Sequence, residues 1–254
     1  MIIDSDVHIS PTLEEGNSMY LEELFNHMEK AGVDKALTWL QPPYLRCIDD
    51  SLRYVYNATK SYPDKVLGFG WVDPHLGMAK SKDTIKKCIY EYGFYGVKLN
   101  GAQNSFYIDD PVISLPLIKE IAQAGKILAL HVGADAFEYT HPYRVGKIAS
   151  IFPELKILAV HMGGVVLPNL CNSMIEIATK FPNITLIGSK VDSFSILKAI
   201  KTIGSSRVCF GSDTPFELMH VEVARYKALL SDISSEDQQK IMGGNIKKLL
   251  NLGN

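Results

Sequence analysis

An acid and a histidine two residues apart, Asp6 and His8, close the stretch Ile2-Ile3-Asp4-Ser5-Asp6-Val7-His8 of this 254-residue chain. Residues two apart on a strand share a face, so a carboxylate and an imidazole would point together. That is one half of a metal-ligand set. Partners stand at the ends of three later apolar runs. His131 follows Ile127-Leu128-Ala129-Leu130, His161 follows Ile157-Leu158-Ala159-Val160, and Asp213 follows Val208-Cys209-Phe210-Gly211-Ser212. Three imidazoles and two carboxylates suit a divalent cation, which could polarise a carbonyl or a bound water.

The elements that must gather these side chains alternate regularly. Apolar strand patterns are expected at about 2–8, 34–40, 65–72, 95–100, 126–132, 156–162, 184–190 and 207–212. Amphipathic helical patterns lie between them, at Tyr20–Ala31, Asp50–Ser61, Asp83–Tyr92, Pro111–Ala124, Pro142–Phe152, Pro168–Phe181, Phe194–Ile203 and Val221–Leu230. Gly32, Gly93, Gly125 and Gly204 sit where helix C-caps need a left-handed residue, and Pro63, Pro153 and Pro182 mark further ends. Ser234-Ser235-Glu236-Asp237 reads as the start of a closing helix over Gln238–Leu250. Eight β/α units close best as a distorted TIM (β/α)8 barrel, whose chemistry lies at the C-terminal ends of its strands. An open doubly wound sheet would often offer a glycine-rich loop after the first strand, where this chain has Ile9-Ser10-Pro11-Thr12. Residues 1–254 are expected to form one such domain.

Composition narrows the partners. The 26 Lys and Arg against 28 Asp and Glu give a net charge of -2, which provides no basic surface for nucleic acid. Cys47, Cys88, Cys171 and Cys209 are scattered without metal or disulfide spacing, so reduced thiols and a cytoplasmic location are expected. No apolar stretch is long enough for a bilayer and no leader precedes the first strand, so neither membrane insertion nor secretion is expected.

The ordered set resembles the amidohydrolase superfamily, and within it the amidohydrolase-2 group of metal-dependent barrel hydrolases and decarboxylases. Its marks are Asp6-Val7-His8, His131, His161-Met162-Gly163-Gly164 and Gly211-Ser212-Asp213-Thr214-Pro215. Gly70-Trp71-Val72-Asp73-Pro74, Gly96-Val97-Lys98-Leu99 and Gly244-Asn245-Ile246-Lys247-Lys248-Leu249-Leu250 add to them. The resemblance covers essentially the whole chain. It implies one divalent metal, zinc first and manganese as the alternative, held by Asp6, His8, His131 and Asp213. It also implies that Asp213 takes a proton and that His161 stands beside the substrate or water.

One departure stands out, because Asp6 occupies a position where the hydrolases usually carry His. A second carboxylate hardens the ligand set and makes a bound water less acidic. Acids at this position also occur among the family's nonoxidative decarboxylases. The resemblance therefore implies a metal-dependent hydrolase of a small organic molecule, with a carboxy-lyase acting on an aromatic or unsaturated acid as the alternative. A nuclease or phosphoesterase ranks third, and a barrel retained for binding alone is a fourth reading.

Arg46 and Arg144 are candidate clamps for a substrate carboxylate. Lys98 could attract the same group or pair with an interior acid; in this group its counterpart usually stays unmodified, which favours a mononuclear site. Trp39, Tyr44, Trp71 and Phe137 could wall an aromatic pocket. His27, His141 and His220 read as structural, and Asp4 as a buried polar partner. Short connections at the catalytic end leave the pocket open or completed by another subunit; a homodimer accords with family habit.

Overall fold

The computed structural model describes residues 1–12, 18–41, 48–133, 135–165 and 167–253. The first β/α unit shows how the sequence sets an element. Strand β1 (Ile3–Ile9) is buried along its whole length. Helix α1 (Leu21–Ala31) starts at a capping box, in which the Glu23 carboxylate accepts from the Tyr20 N–H at 2.8 Å. Leu24, Met28 and Ala31 form its buried stripe, and Gly32, at φ 67°, ends it. The other three expected capping glycines, Gly93, Gly125 and Gly204, also have positive φ.

The pattern repeats through β2 (Lys35–Leu40), α2 (Asp49–Ser61), β3 (Val66–Gly68), β4 (Gly70–Trp71) and α3 (Met78–Lys86). It continues through β5 (Gly96–Leu99), α4 (Gly101–Asn104), α5 (Leu115–Gln123), β6 (Ile127–His131), α6 (Pro142–Ile151), β7 (Ile157–Val160) and α7 (Pro168–Lys180). The last units are β8 (Ile184–Ile187), α8 (Ser193–Ile203), β9 (Val208–Cys209) and α9 (Met219–Leu229). All ladders are parallel, in the orders β1-β2-β3 and β4-β5-β6-β7-β8-β9.

Two seams join these ladders into one (β/α)8 barrel. At the first, β3 and β4 are halves of one strand interrupted at Phe69, whose N–H still donates to Thr38 O at 2.9 Å. The second joins β1 to the segment after β9. Ser5 N–H donates to Phe210 O (3.1 Å), Asp213 N–H to Asp6 O (2.8 Å), and His8 N–H to Thr214 O (2.8 Å). Asp4 reinforces this seam, its carboxylate accepting from Ser212 N–H at 2.9 Å and Asp6 N–H at 3.1 Å.

The expected closing helix is divided into α10 (Ser235–Gln239), a π turn at Lys240–Gly244, and α11 (Asn245–Leu249). Phe210 N–H donates to Ile241 O at 2.9 Å, and Asn245 donates to Ser205 O and Val208 O. This segment thereby covers the N-terminal end of the barrel, opposite the chemistry. No described helix is long and apolar enough to cross a membrane.

Candidate metal centre and active site

In β1, the register with β2 steps from Asp4↔Ala36 to Val7↔Thr38, so one extra residue is accommodated between them. Such a bulge re-aims side chains. Asp6 and His8 both reach the site, with His8 Nε2 3.7 Å from Asp6 Oδ1 and 3.5 Å from Asp213 Oδ1. His8 Nδ1 lies 2.8 Å from Leu40 O, a group that can only accept. The proton therefore sits on Nδ1, and the Nε2 lone pair accepts from the Trp39 indole N–H at 3.1 Å.

His161 Nδ1 is fixed by Ser189, whose carbonyl lies at 3.1 Å and whose hydroxyl lies at 3.0 Å. That hydroxyl donates to Asp6 Oδ2 at 2.5 Å, so one serine orients a histidine and a carboxylate. His131 closes β6, and its ring centroid is 4.7 Å from that of His161. The two histidines are each followed two residues later by a glycine. Gly133 has φ 72°, and a Cβ there would overlap the Gly163 carbonyl. Gly133→Ala is therefore expected to lower stability by about 3 kcal/mol from strain and overlap combined, checked by urea unfolding.

Electrostatics set the charge states. Burial, with Lys98 adding to it, lowers His8 to about 3. Burial and His161 hold His131 well below its ordinary value. Burial opposes ionisation of Asp6, but Lys98, His161 and the Ser189 bond outweigh it and keep the carboxyl below its usual range. Asp213 moves the other way, raised by burial and by the Asp6 charge.

This chemistry fits a divalent cation. Neutral imidazoles expose lone pairs, and buried Asp6 Oδ1 and His131 Nε2 have no hydrogen-bond partner among the described residues. An unsatisfied buried polar atom costs about 1–3 kcal/mol, which a bound cation would offset. One ligand atom each from Asp6, His161 and Asp213 lies within 4.8 Å of the others, so the described residues offer a divalent-metal site. His161 thus stands within this cluster, where the resemblance set it to one side. A cation at His8 Nε2 would have to displace the Trp39 N–H.

A cavity of about 220 Å3 opens above the centre, lined by His8, His131, His161 and Asp213. Asn100, Gln103 and Asp135 line it as well, with Gln103 donating to Asp135 at 3.0 Å. Val165, Lys190 and Phe216 complete its lining. Asn100, Gln103, Asp135, Val165, Lys190 and Phe216 were not anticipated from sequence. Ser189 and Lys190 follow an apolar strand run, the same signal that marked the histidines.

Several residues expected to contact substrate lie away from this cavity. Arg144 does not reach the cavity: its Nη1 is 2.6 Å from Asp109, its Nε donates to Glu138 O at 2.8 Å, and it covers the Tyr107 ring. Lys98, Trp39 and Trp71 are fully buried and do not line the cavity. Lys98 Nζ is 3.7 Å from Asp6 Oδ1 and 3.7 Å from the Trp39 ring centroid, so it pairs with an interior acid. Trp71 donates to Asn104 at 3.0 Å. Phe137 is exposed and is not part of the lining. Arg46, Tyr44 and Cys47 lie outside the described residues. His141 caps α6, accepting from Tyr143 N–H.

Asp109 also meets Lys147 at 2.9 Å. Although burial opposes its charge, the Lys147 and Arg144 bonds hold it below the usual carboxylate range. A depressed folded value means that the stabilisation is complete above the ordinary carboxylate pKa and fades as pH falls through the folded one. Asp109→Asn is therefore expected to cost about 2 kcal/mol at neutral pH, with the two unfolding curves converging in acid. A gap that widens on acidification would contradict this origin.

A family model described as Amidohydrolase matches residues 4–252. The chain belongs to the amidohydrolase family. Among its curated amidohydrolase relatives, 2-amino-3-carboxymuconate-6-semialdehyde decarboxylase of Dictyostelium discoideum is 24% identical over 234 residues. That match covers 78% of this chain and 65% of the relative, so the chain spans just under two thirds of that protein. Gamma-resorcylate decarboxylase of Polaromonas sp. strain JS666 is 23% identical over 292 residues, covering 89% of this chain and 85% of the relative. A solved structure of a dihydroxybenzoic acid decarboxylase from Polaromonas sp. JS666, with bound manganese and the inhibitor 2-nitroresorcinol, has the same fold. Its TM-score is 0.78 at 19% identity, covering 100% of this chain and 97% of that one.

Proposed function

We propose that this protein is a metal-dependent nonoxidative decarboxylase of a small aromatic or unsaturated carboxylic acid. The observation that carries the reading is that both curated relatives described above are decarboxylases. The alternative of the sequence reading thus moves ahead of the hydrolase. Asp6 supports it, since a second buried carboxylate in the donor set works against an acidic bound water.

Asp6, His131, His161 and Asp213 would hold the cation, with His8 joining if Trp39 yields. When bound, the ion supplies Lewis-acid polarisation of a substrate oxygen. Two carboxylates among the donors support manganese over zinc in this reading.

The side chains divide the remaining work. Asp213, at the cavity wall, is placed to carry a proton to the carbon losing its carboxylate. The electron pair of the breaking carbon–carbon bond forms the new carbon–hydrogen bond, neutral carbon dioxide leaves, and the Asp213 carboxylate regains a proton from water. Ser189 and Lys98 keep Asp6 ionised and in place. Val165 and Phe216 present apolar surface to the substrate and limit water.

The test is incubation of manganese-loaded protein with panels of hydroxybenzoates, unsaturated acids and lactones. Carbon dioxide release with formation of the matching decarboxylated product is expected. Lactone ring opening, with no carbon dioxide from any acid, would return the reading to hydrolysis.

A further inference from the structure

Asn100 stands just past the end of β5, two residues beyond Lys98, so both side chains point into the barrel. Lys98 is sealed in the interior against Asp6, whereas Asn100 lines the cavity. The register that sets Leu99 opposite Leu130 carries Asn100 alongside His131, and both face the same space.

The Asn100 side chain is 2% exposed, and its orientation is fixed. It caps α4, with Oδ1 accepting from Gln103 N–H at 3.0 Å. A backbone N–H can only donate, so the atom that faces it is the amide oxygen, and the amide nitrogen points elsewhere. The next residue keeps this turn in place, since a Cβ at Gly101 would lie 2.4 Å from Phe106 O and 3.0 Å from the Ile108 side chain. With Oδ1 spent on the cap, Nδ2 carries two N–H donors and makes no hydrogen bond to a described residue.

The other polar groups of the lining are committed. Exposed Gln103 donates to Asp135, and Lys190 is ion-paired with Asp213 and Glu217. The Nδ1 atoms of His8 and His161 face Leu40 O and Ser189 O. Among the described lining residues, Asn100 is thus the buried neutral donor left for an oxygen of whatever fills the cavity.

The reaction favours such a donor for one oxygen in particular. A carboxylate that departs as carbon dioxide loses its charge, so a full positive charge held against it stabilises the ground state more than the transition state. A neutral amide orients that carboxylate with less of this penalty.

We propose that Asn100 is a substrate-binding residue whose Nδ2 donates to the reacting carboxylate beside His131. That this carboxylate reacts rests on the decarboxylase reading; the donor to a carboxylate does not.

Calorimetric titration with benzoate, at equal manganese content, compares the unaltered protein with two variants. Asn100→Ala removes the donor and adds no charge; Asn100→Asp removes the donor and keeps an acceptor for Gln103 N–H, so α4 stays capped. Both are expected to bind benzoate about 10- to 100-fold more weakly, the range for a hydrogen bond to a charged group. Asn100→Ser replaces either variant if circular dichroism shows misfolding, because its hydroxyl can cap α4 without a charge and ends one bond nearer the backbone than Nδ2. No measurable benzoate binding by the unaltered protein overturns the proposal, as does weakening in neither variant or in only one. Weakening in both with no carbon dioxide release from any acid sinks the decarboxylase reading and leaves the carboxylate donor standing. Carbon dioxide release at rates that neither variant changes does the reverse.

Discussion

Asp213→Asn is expected to reduce carbon dioxide release by about 10^3-fold, within the range for loss of a positioned proton donor. The amide has a similar shape but no proton of suitable acidity. Its backbone tie to Asp6 O does not involve the side chain, so the β1 seam should persist. Metal content measured alongside separates the two tasks of this residue. Retained metal with lost turnover assigns the loss to proton delivery, whereas lost metal assigns it to cation binding. Turnover within tenfold of the unaltered enzyme would remove Asp213 from the mechanism.

The second large effect concerns the cation. Chelation followed by dialysis is expected to abolish turnover and to lower the melting temperature by about 5–10 °C. A ligand present at about 100 times its Kd stabilises by about 2.7 kcal/mol, and at this chain length each kcal/mol shifts the melt by about 2–4 °C. Manganese should restore both activity and melting temperature. The sign follows from burial: Asp6 Oδ1 and His131 Nε2 have no hydrogen-bond partner among the described residues, so only the folded state gains from a cation there. An unchanged melting temperature after verified metal loading would show that the cluster holds no ion.

Much of this site is legible in the chain because parallel strands carry their chemistry at one end. An apolar run ending in His or Asp states both a strand and the side chain at its tip, as at His131, His161 and Asp213. What such a run does not state is where the strand stops. The expected strand 184–190 ends at Ile187, and the run at 207–212 keeps ladder pairing only at Val208–Cys209. Beyond those points the backbone turns through positive φ at Lys190 and Asp213. These turns aim two cavity side chains, and residue type alone does not encode them.

Arg144 shows the other limit. A guanidinium advertises anion binding, but its anion turned out to be Asp109, 35 residues away in sequence and brought near only by packing. The bulge in β1 was equally hidden, since it depends on pairing with β2 and with the segment after β9 rather than on any local pattern.

The seam between β1 and the segment after β9 has a consequence in time as well as in space. Asp4 and Ser212 are 208 residues apart, and Ser189 reaches back 183 residues to Asp6. Contacts of such separation are slow to form, because a long loop must be ordered before they offer any return. During synthesis Asp6 and His8 emerge well before Ser189 and Asp213 exist to meet them. Cation capture at this centre therefore belongs to the last stage of folding, and metal content is a reporter of chains that have finished.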